Sequence, residues 1–215
     1  MIPAVKRPYD SPRRRAQAGA TRRAVLEAAR ALFLEQGYVA TTIDAIAAAA
    51  AVSPETVYAR FGNKRTLLAR LVDVSIAGDD DAPPILQQDW VQRMRDEPDV
   101  RRRLRILAGN GRAILERRAA VDEVVRGAAA ADPEMAALRE LGKAQRHAGQ
   151  QELLRIVMGD ASLRTGLDID SAADVVYALG SPETWQLLVV DRAWTADRFE
   201  RWYGDAIERL LLDRG

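Results

Sequence analysis

The sequence predicts an all-α fold in two parts, and three observations predict it. Apolar residues recur at helical spacing along most of the chain. No segment sustains the alternation expected of a strand. A polar break at Gly78–Pro84, GDDDAPP, separates two stretches of different composition.

The composition narrows the possibilities. A chain of 215 residues with 48% hydrophobic content can bury a substantial core and is not of disordered type. It has no cysteine, which excludes disulfides, thiolate metal sites and cysteine nucleophiles. No apolar run reaches the roughly 18 residues of a membrane span, and MIPAVKRPYDSPRRR has no signal-peptide core, so a cytoplasmic location is expected. The net charge of +1 hides an asymmetry: 12 Lys+Arg against 6 Asp+Glu through Gly78, then 20 against 25. A basic first part is the electrostatic footprint of a nucleic-acid reader.

Residues 1–17 carry prolines, Lys6, Arg7 and Arg13–Arg15 with little apolar content, and read as a flexible basic arm. Such an arm either tracks phosphates or enters a minor groove, or is only a disordered terminus. Val25, Ala28, Ala29, Leu32 and Phe33 then form a helical stripe over about residues 20–36, stopped by Gly37. Ile43, Ile46, Ala47 and Ala50 give a second, shorter helix, with Thr41 and Asp44 in a capping-box-like start. Val52 and Ser53 interrupt it. Ser53 is a helix cap and Pro54 suits a first helical position, so a third helix runs over 54–61 with Val57 and Phe61 inward. Its polar outer face, braced by the second helix, has the form of a helix-turn-helix that a major groove admits. Gly62-Asn63 turns the chain into a fourth helix from Lys64, with Leu67, Leu68, Leu71 and Val72 inward. These helices make up a domain over 18–77.

The run from Val25 to Leu71, including ALFLEQGYVATTIDAIAAAAAVSPETVYARFGNKRTLLARL, resembles the DNA-binding domain of the TetR family of transcriptional regulators. The shared marks are Phe33 to Gly37, Thr41-Thr42, Ile46-Ala47, Val52-Ser53, Thr56-Val57-Tyr58, Phe61 and Asn63-Lys64. Ala51 departs from the family's usual glycine and Ala49 from a frequent arginine. The resemblance implies that Thr42, Ser53, Thr56 and Lys64 hold phosphates. It implies that Pro54, Glu55 and Tyr58 approach bases, and that Arg60 reaches phosphate or guanine. Phosphate contacts position a reader, while base contacts specify sequence. For Glu55 two readings stand: a contact to a cytosine amine, or stabilisation of its own helix start.

Beyond the polar break, expected to be a linker, a second domain spans 84–215. Trp90, Val91 and Met94 mark a short helix ending near Pro98. Val100, Leu104, Leu107, Gly111, Ile114 and Leu115 mark a longer one, and Val121, Val124 and Val125 another, closed by Asp132-Pro133. Met135, Leu138, Leu141, Gln145, Ala148 and Glu152 follow one face of a helix running to about Met158. A loop over 159–170 precedes two last helical regions, the first containing Pro182. The stretch SPETWQLLVVDRAWTADRFERWYGDAIERLLL resembles the carboxy-terminal helices of a large group of TetR-like regulators. That resemblance implies a helical bundle for ligand binding and dimerisation. A homodimer interface is expected from Val175, Val176, Leu179, Leu187, Trp202, Ile207, Leu210 and Leu211, with Leu188 adding apolar surface. A pocket for a small-molecule effector is expected among Trp90, Met94, Asn110, Met135, Gln145 and Tyr177, although Met and aromatic residues also serve as plain core. Asn110 and Gln145 either contact a ligand or bond neighbouring helices. His147 is read as surface.

The implied function is a homodimeric repressor released from a palindromic double-stranded operator by an effector, with no cofactor, metal or membrane partner. Two rivals differ in class. A non-specific DNA-packing protein would bind by charge alone. An all-α enzyme finds little support: one histidine, no cysteine, and no HExxH, GxSxG or phosphate-loop motif.

Overall fold

The computed structural model describes residues 12–213, with side chains from Ala16 onward. Every regular element among them is helical. The chain divides into two compact units, one up to Leu68 and one from Ala69. The division falls inside the fourth helix, ahead of the segment expected to be a linker.

In the first unit, α1 (Pro12–Ala40), α2 (Ile43–Ala49) and α3 (Pro54–Phe61) precede the first turns of α4 (Lys64–Ala77). The basic arm expected over 1–17 falls largely outside the described residues. α1 itself begins at Pro12, earlier than the apolar stripe suggests. Gly37 breaks α1 with φ 78° and ψ 172°, a conformation essentially restricted to glycine. Val25, Ala29, Phe33, Ile46, Val57, Phe61, Leu67 and Leu68 are buried. Each larger side chain among them contributes about 1.5–3 kcal/mol. The start of α2 differs from the capping box read at Thr41. Thr42 is the cap, its Oγ1 accepting from the Ala45 N–H. Thr41 is fully buried and donates its hydroxyl to the Gly37 carbonyl at 2.7 Å.

The turn between α2 and α3 passes through Ala51 at φ 54°. The left-handed region costs an L-residue roughly 1–2 kcal/mol. Ala51→Gly is therefore expected to raise stability by about 1 kcal/mol after glycine's larger unfolded-state entropy is subtracted. Denaturant unfolding checks it; an unchanged midpoint would mean that the turn carries no strain.

The second unit begins with the rest of α4. Its segment 78–84 is a fixed turn and not a free linker. Arg70 donates Nε to Asp80 Oδ1 at 2.8 Å and Nη2 to the Asp80 carbonyl at 2.7 Å. Gln88 Nε2 donates to the Ala77 and Pro83 carbonyls. α5 (Asp89–Asp96) follows a short 3-10 turn. The two helices expected beyond Pro98 are one, α6 (Val100–Ala131). A buried Arg118–Asp122 pair at 2.6 Å spans successive turns between their two stripes. α7 (Pro133–Met158), α8 (Ile169–Leu179), α9 (Pro182–Trp185) and α10 (Ala196–Leu211) complete the unit. Ser181 caps α9, accepting from the Thr184 N–H, and α9 continues as a π-helical Gln186–Asp191.

α6 packs against α7, α10 and α9, and α7 against α8. Leu104, Leu107, Leu154, Val176, Trp185, Phe199, Ile207 and Leu211 fill the core between them. One stripe is corrected. On α7, Leu141, Gln145, Ala148 and Glu152 are exposed, whereas Leu154, Val157 and Met158 are buried. No helix among the described residues is long and apolar enough to cross a membrane.

Candidate DNA-reading surface and ligand cavity

The reading surface is built at the start of α3. Ser53 Oγ accepts from the Thr56 N–H at 3.3 Å and lies 3.1 Å from Thr56 Oγ1. Pro54 takes the first helical position. Val57 and Phe61 turn inward with little exposure, which leaves Glu55, Tyr58 and Arg60 outward. Tyr58 is 52% exposed, a large ring left open to solvent. Thr42, at the cap of α2, is exposed as well. The helix start also leaves peptide N–H groups and the positive end of a dipole facing outward, which suits phosphate.

Besides Thr42, Ser53 and Thr56, three more of the expected DNA contacts interact within the unit. The Glu55 carboxyl lies below the usual range because its own backbone N–H and then the Ser53 hydroxyl bond to the ionised form. This lowering accords with stabilisation of the helix start. Glu55→Gln is expected to leave the preferred DNA sequence unchanged in a selection experiment; an altered preference at one base pair would restore the cytosine reading. Arg60 Nη1 donates to the Ala18 carbonyl of α1 at 3.1 Å. Lys64 Nζ donates to the Tyr38 and Thr41 carbonyls at 2.8 Å each and to Val39 at 3.4 Å, and sits 4.3 Å from the Tyr38 ring centroid. In this chain the Lys64 ammonium clamps the turn between α1 and α2 through these carbonyls.

The second unit contains a cavity of about 280 Å³. Ile85, Trp90, Leu107, Ile114, Leu153 and Val176 supply much of its apolar wall, and Gly111, Gly149 and Gly180 open space in it. Tyr203, Gln150, Gln145, Arg146, Arg118 and Asp73 add polar groups. A neighbouring cleft of about 390 Å³ shares Val72, Asp73, Arg118, Gln145 and Arg146. Tyr203 is 2% exposed, and burial pushes its phenol well above its ordinary value. Burial likewise raises the carboxyls of Asp122 and Asp73.

Of the expected pocket residues, Trp90 and Gln145 line this cavity. The others are placed elsewhere. Met94 and Met135 are fully buried and belong to the interior. Asn110 Nδ2 donates to the Ile106 carbonyl one turn back on its own helix. Tyr177 is covered by the Arg146 guanidinium at 3.8 Å and meets His147 edge-on. His147, half-buried at the side of α7, lies 2.8 Å from Asp174. Tyr203, Arg146, Gln150 and Gly111 were not anticipated. For Arg146 and Gln150 the available signal was a repeat of small and polar residues on α7, Gly142, Arg146, Gly149 and Gln150, at helical spacing; Tyr203 and Gly111, on α10 and α6, had none.

The residues expected at a dimer interface also separate. Leu187 and Leu210 are exposed at 59% and 38%, and Val175, Leu179 and Trp202 are half-buried. Val176, Ile207 and Leu211 are 0–1% exposed in this chain's own core. These three have no surface to offer a partner. Val190, 56% exposed, adds apolar area not anticipated.

A helix-turn-helix domain followed by a helical body with a partly open cavity defines the class: an all-α, helix-turn-helix fold. Residues 25–71 match the family described as bacterial regulatory proteins, tetR family. Solved structures share the fold over nearly the whole chain. NalD, the secondary repressor of the MexAB-OprM multidrug efflux pump in Pseudomonas aeruginosa, is 23% identical, with a TM-score of 0.69 over 93% of this chain and 100% of that one. SmeT, in a complex with triclosan, is 22% identical with a TM-score of 0.69, over 91% and 93% of the two chains. A transcriptional regulator from Saccharomonospora viridis in complex with choline is 22% identical with a TM-score of 0.65, over 90% and 98%. No curated protein matches the sequence.

Proposed function

We propose that this chain is a cytoplasmic transcriptional repressor that binds a palindromic operator as a homodimer and is released by a small-molecule effector. The observation that carries the reading is the exposed start of α3, where Ser53, Pro54, Thr56 and Tyr58 present a capped helix end with no packing role for its outer face. Ser53, Thr42 and Thr56 hold phosphates in this reading, and Pro54 and Tyr58 approach bases. Lys64 serves by fixing the turn. The cavity in the second unit is the effector site, and the exposed Leu187, Val190 and Leu210 contribute to a two-fold interface. Two reading heads then match a two-fold site.

Similarity to NalD supports repression, and the triclosan and choline complexes of similar folds support an effector. One of those molecules is a phenol and the other a quaternary ammonium, so the fold leaves the effector's chemistry to each chain's own cavity. Release requires that the effector bind the non-DNA-binding state more tightly.

Selection of random duplex DNA by the purified protein at two salt concentrations tests the reading. The expected result is an enriched palindrome that survives the higher salt. Binding that collapses as salt rises, with no enriched sequence, would point to charge-driven packing instead.

A further inference from the structure

We infer that the cavity in the second unit selects an apolar organic acid, bound as its monoanion, with the acidic oxygens at Arg146 and Tyr203. The inference rests on the reading of that cavity as the effector site and goes on to name the effector's chemical class.

Charge pairing within the unit singles out Arg146. The other cations lining the cavity and its neighbouring cleft all have carboxylate partners. Arg118 lies 2.6 Å from Asp122, Lys143 lies 2.9 Å from Glu140, and Arg139 lies 3.4 Å from Glu140 and 3.6 Å from Glu183. Arg126 pairs with Glu123. Arg146 has no carboxylate within 4 Å among the described residues. Its guanidinium instead stacks on Tyr177, with one weak bond to the Tyr177 carbonyl at 3.5 Å. A stacked guanidinium keeps its in-plane N–H donors free for an oxyanion. Asp73, the carboxylate on the same wall, has its own cation, Arg70, at 3.8 Å.

Two neutral groups converge on the same chamber. The Tyr203 hydroxyl lines the cavity, makes no hydrogen bond to the described residues, and belongs to a side chain that is almost wholly buried. Gln150 Oε1, an acceptor, is buried without a partner and calls for a donor on the ligand, while only the NH2 of the same amide can serve an acidic oxygen. Buried polar groups are normally satisfied, so a hydroxyl donor, an amide and an unpaired guanidinium beside an apolar wall ask for a ligand with a polar, oxygen-bearing end. The remaining wall, around Trp90, Leu107, Ile114 and Leu153, takes an apolar body. A neutral ligand would leave Arg146 with only the longer-range field of Asp122, and a cationic one would oppose it.

The test uses the full-length protein and two fluorescent probes of the same aromatic body. These are 1-anilinonaphthalene-8-sulfonate, a monoanion, and N-phenyl-1-naphthylamine, its neutral counterpart. The anion is expected to bind about tenfold or more tightly than the neutral probe. Arg146→Gln should remove that preference, Arg146→Lys should keep part of it, and Tyr203→Phe should reduce it. Circular dichroism of each variant establishes that it is folded. Equal affinity for the two probes, or an anion preference that survives Arg146→Gln, would overturn the assignment. A third variant separates this failure from failure of the cavity itself. Gly149→Phe, on the cavity wall where a side chain meets nothing within 4 Å, should abolish binding of both probes. If it does and the preference is absent, the effector site stands and the acid is wrong. If it leaves binding unchanged, the cavity is not the site and both readings fall.

Discussion

Lys64→Met is expected to destabilise the amino-terminal unit by about 2–3 kcal/mol. The substitution keeps an aliphatic stem of similar length but leaves the Tyr38 and Thr41 carbonyls without their charged donor. It also removes a cation from the carbonyl end of α1, where a positive charge is favourable. The unit is small, so this is a large share of its stability. Amide hydrogen exchange over 16–68, compared with that beyond residue 69, measures the loss locally. Weakened DNA binding with unchanged protection of those amides would instead return Lys64 to the phosphate role.

Gly180→Ala carries the second large effect. A Cβ at position 180 would lie 2.6 Å from the Tyr203 hydroxyl oxygen, 2.9 Å from its ring carbon Cζ and 3.1 Å from the Val176 carbonyl. The backbone there is not left-handed, with φ −91°, so the cost is steric and not torsional. Overpacking of this kind costs about 1–3 kcal/mol. Since the ring is buried, its escape lies toward the cavity, and probe binding should weaken along with stability. Adding Tyr203→Phe removes the 2.6 Å contact but not the 2.9 Å one. The double variant is therefore expected to be less destabilised than the two single losses together. Strict additivity would show that the clash is relieved through the backbone of α8.

The pattern of apolar residues made the helical class and the helix-turn-helix legible, because α2 and α3 are short amphipathic helices and Ser53 before Pro54 names the cap of α3; the cap of α2 is Thr42, one residue beyond the Thr41 that the sequence suggests. The roles of Arg60 and Lys64 were not legible. A long cation's partner depends on which carbonyls the tertiary fold brings within reach, and Ala18 and Tyr38 are distant in sequence. The cavity was hidden for a different reason. Periodicity finds the face of a helix that packs against apolar neighbours, whereas the part of α7 that lines a hollow carries Gly142, Arg146, Gly149 and Gln150. The apolar reading therefore selected Leu141 and Ala148, which are exposed. At the carboxy terminus, Val176, Ile207 and Leu211 looked like surplus apolar surface only because the cross-section of the bundle is invisible in one dimension.

The glycines of the cavity wall have a consequence for how such a chamber changes over time. Gly111 lies on α6, Gly149 on α7 and Gly180 at the cap that ends α8, and each sets a dimension of the hollow by what it omits. The three positions are not equally free to vary. Position 149 faces open space, position 111 sits 3.3 Å from the Tyr203 ring, and position 180 is already tight against the same ring. One wall can therefore be recast by a single codon while the other two are held by Tyr203. New substrates for recognition are reached most cheaply along α7, without disturbing the helices that carry the rest of the body.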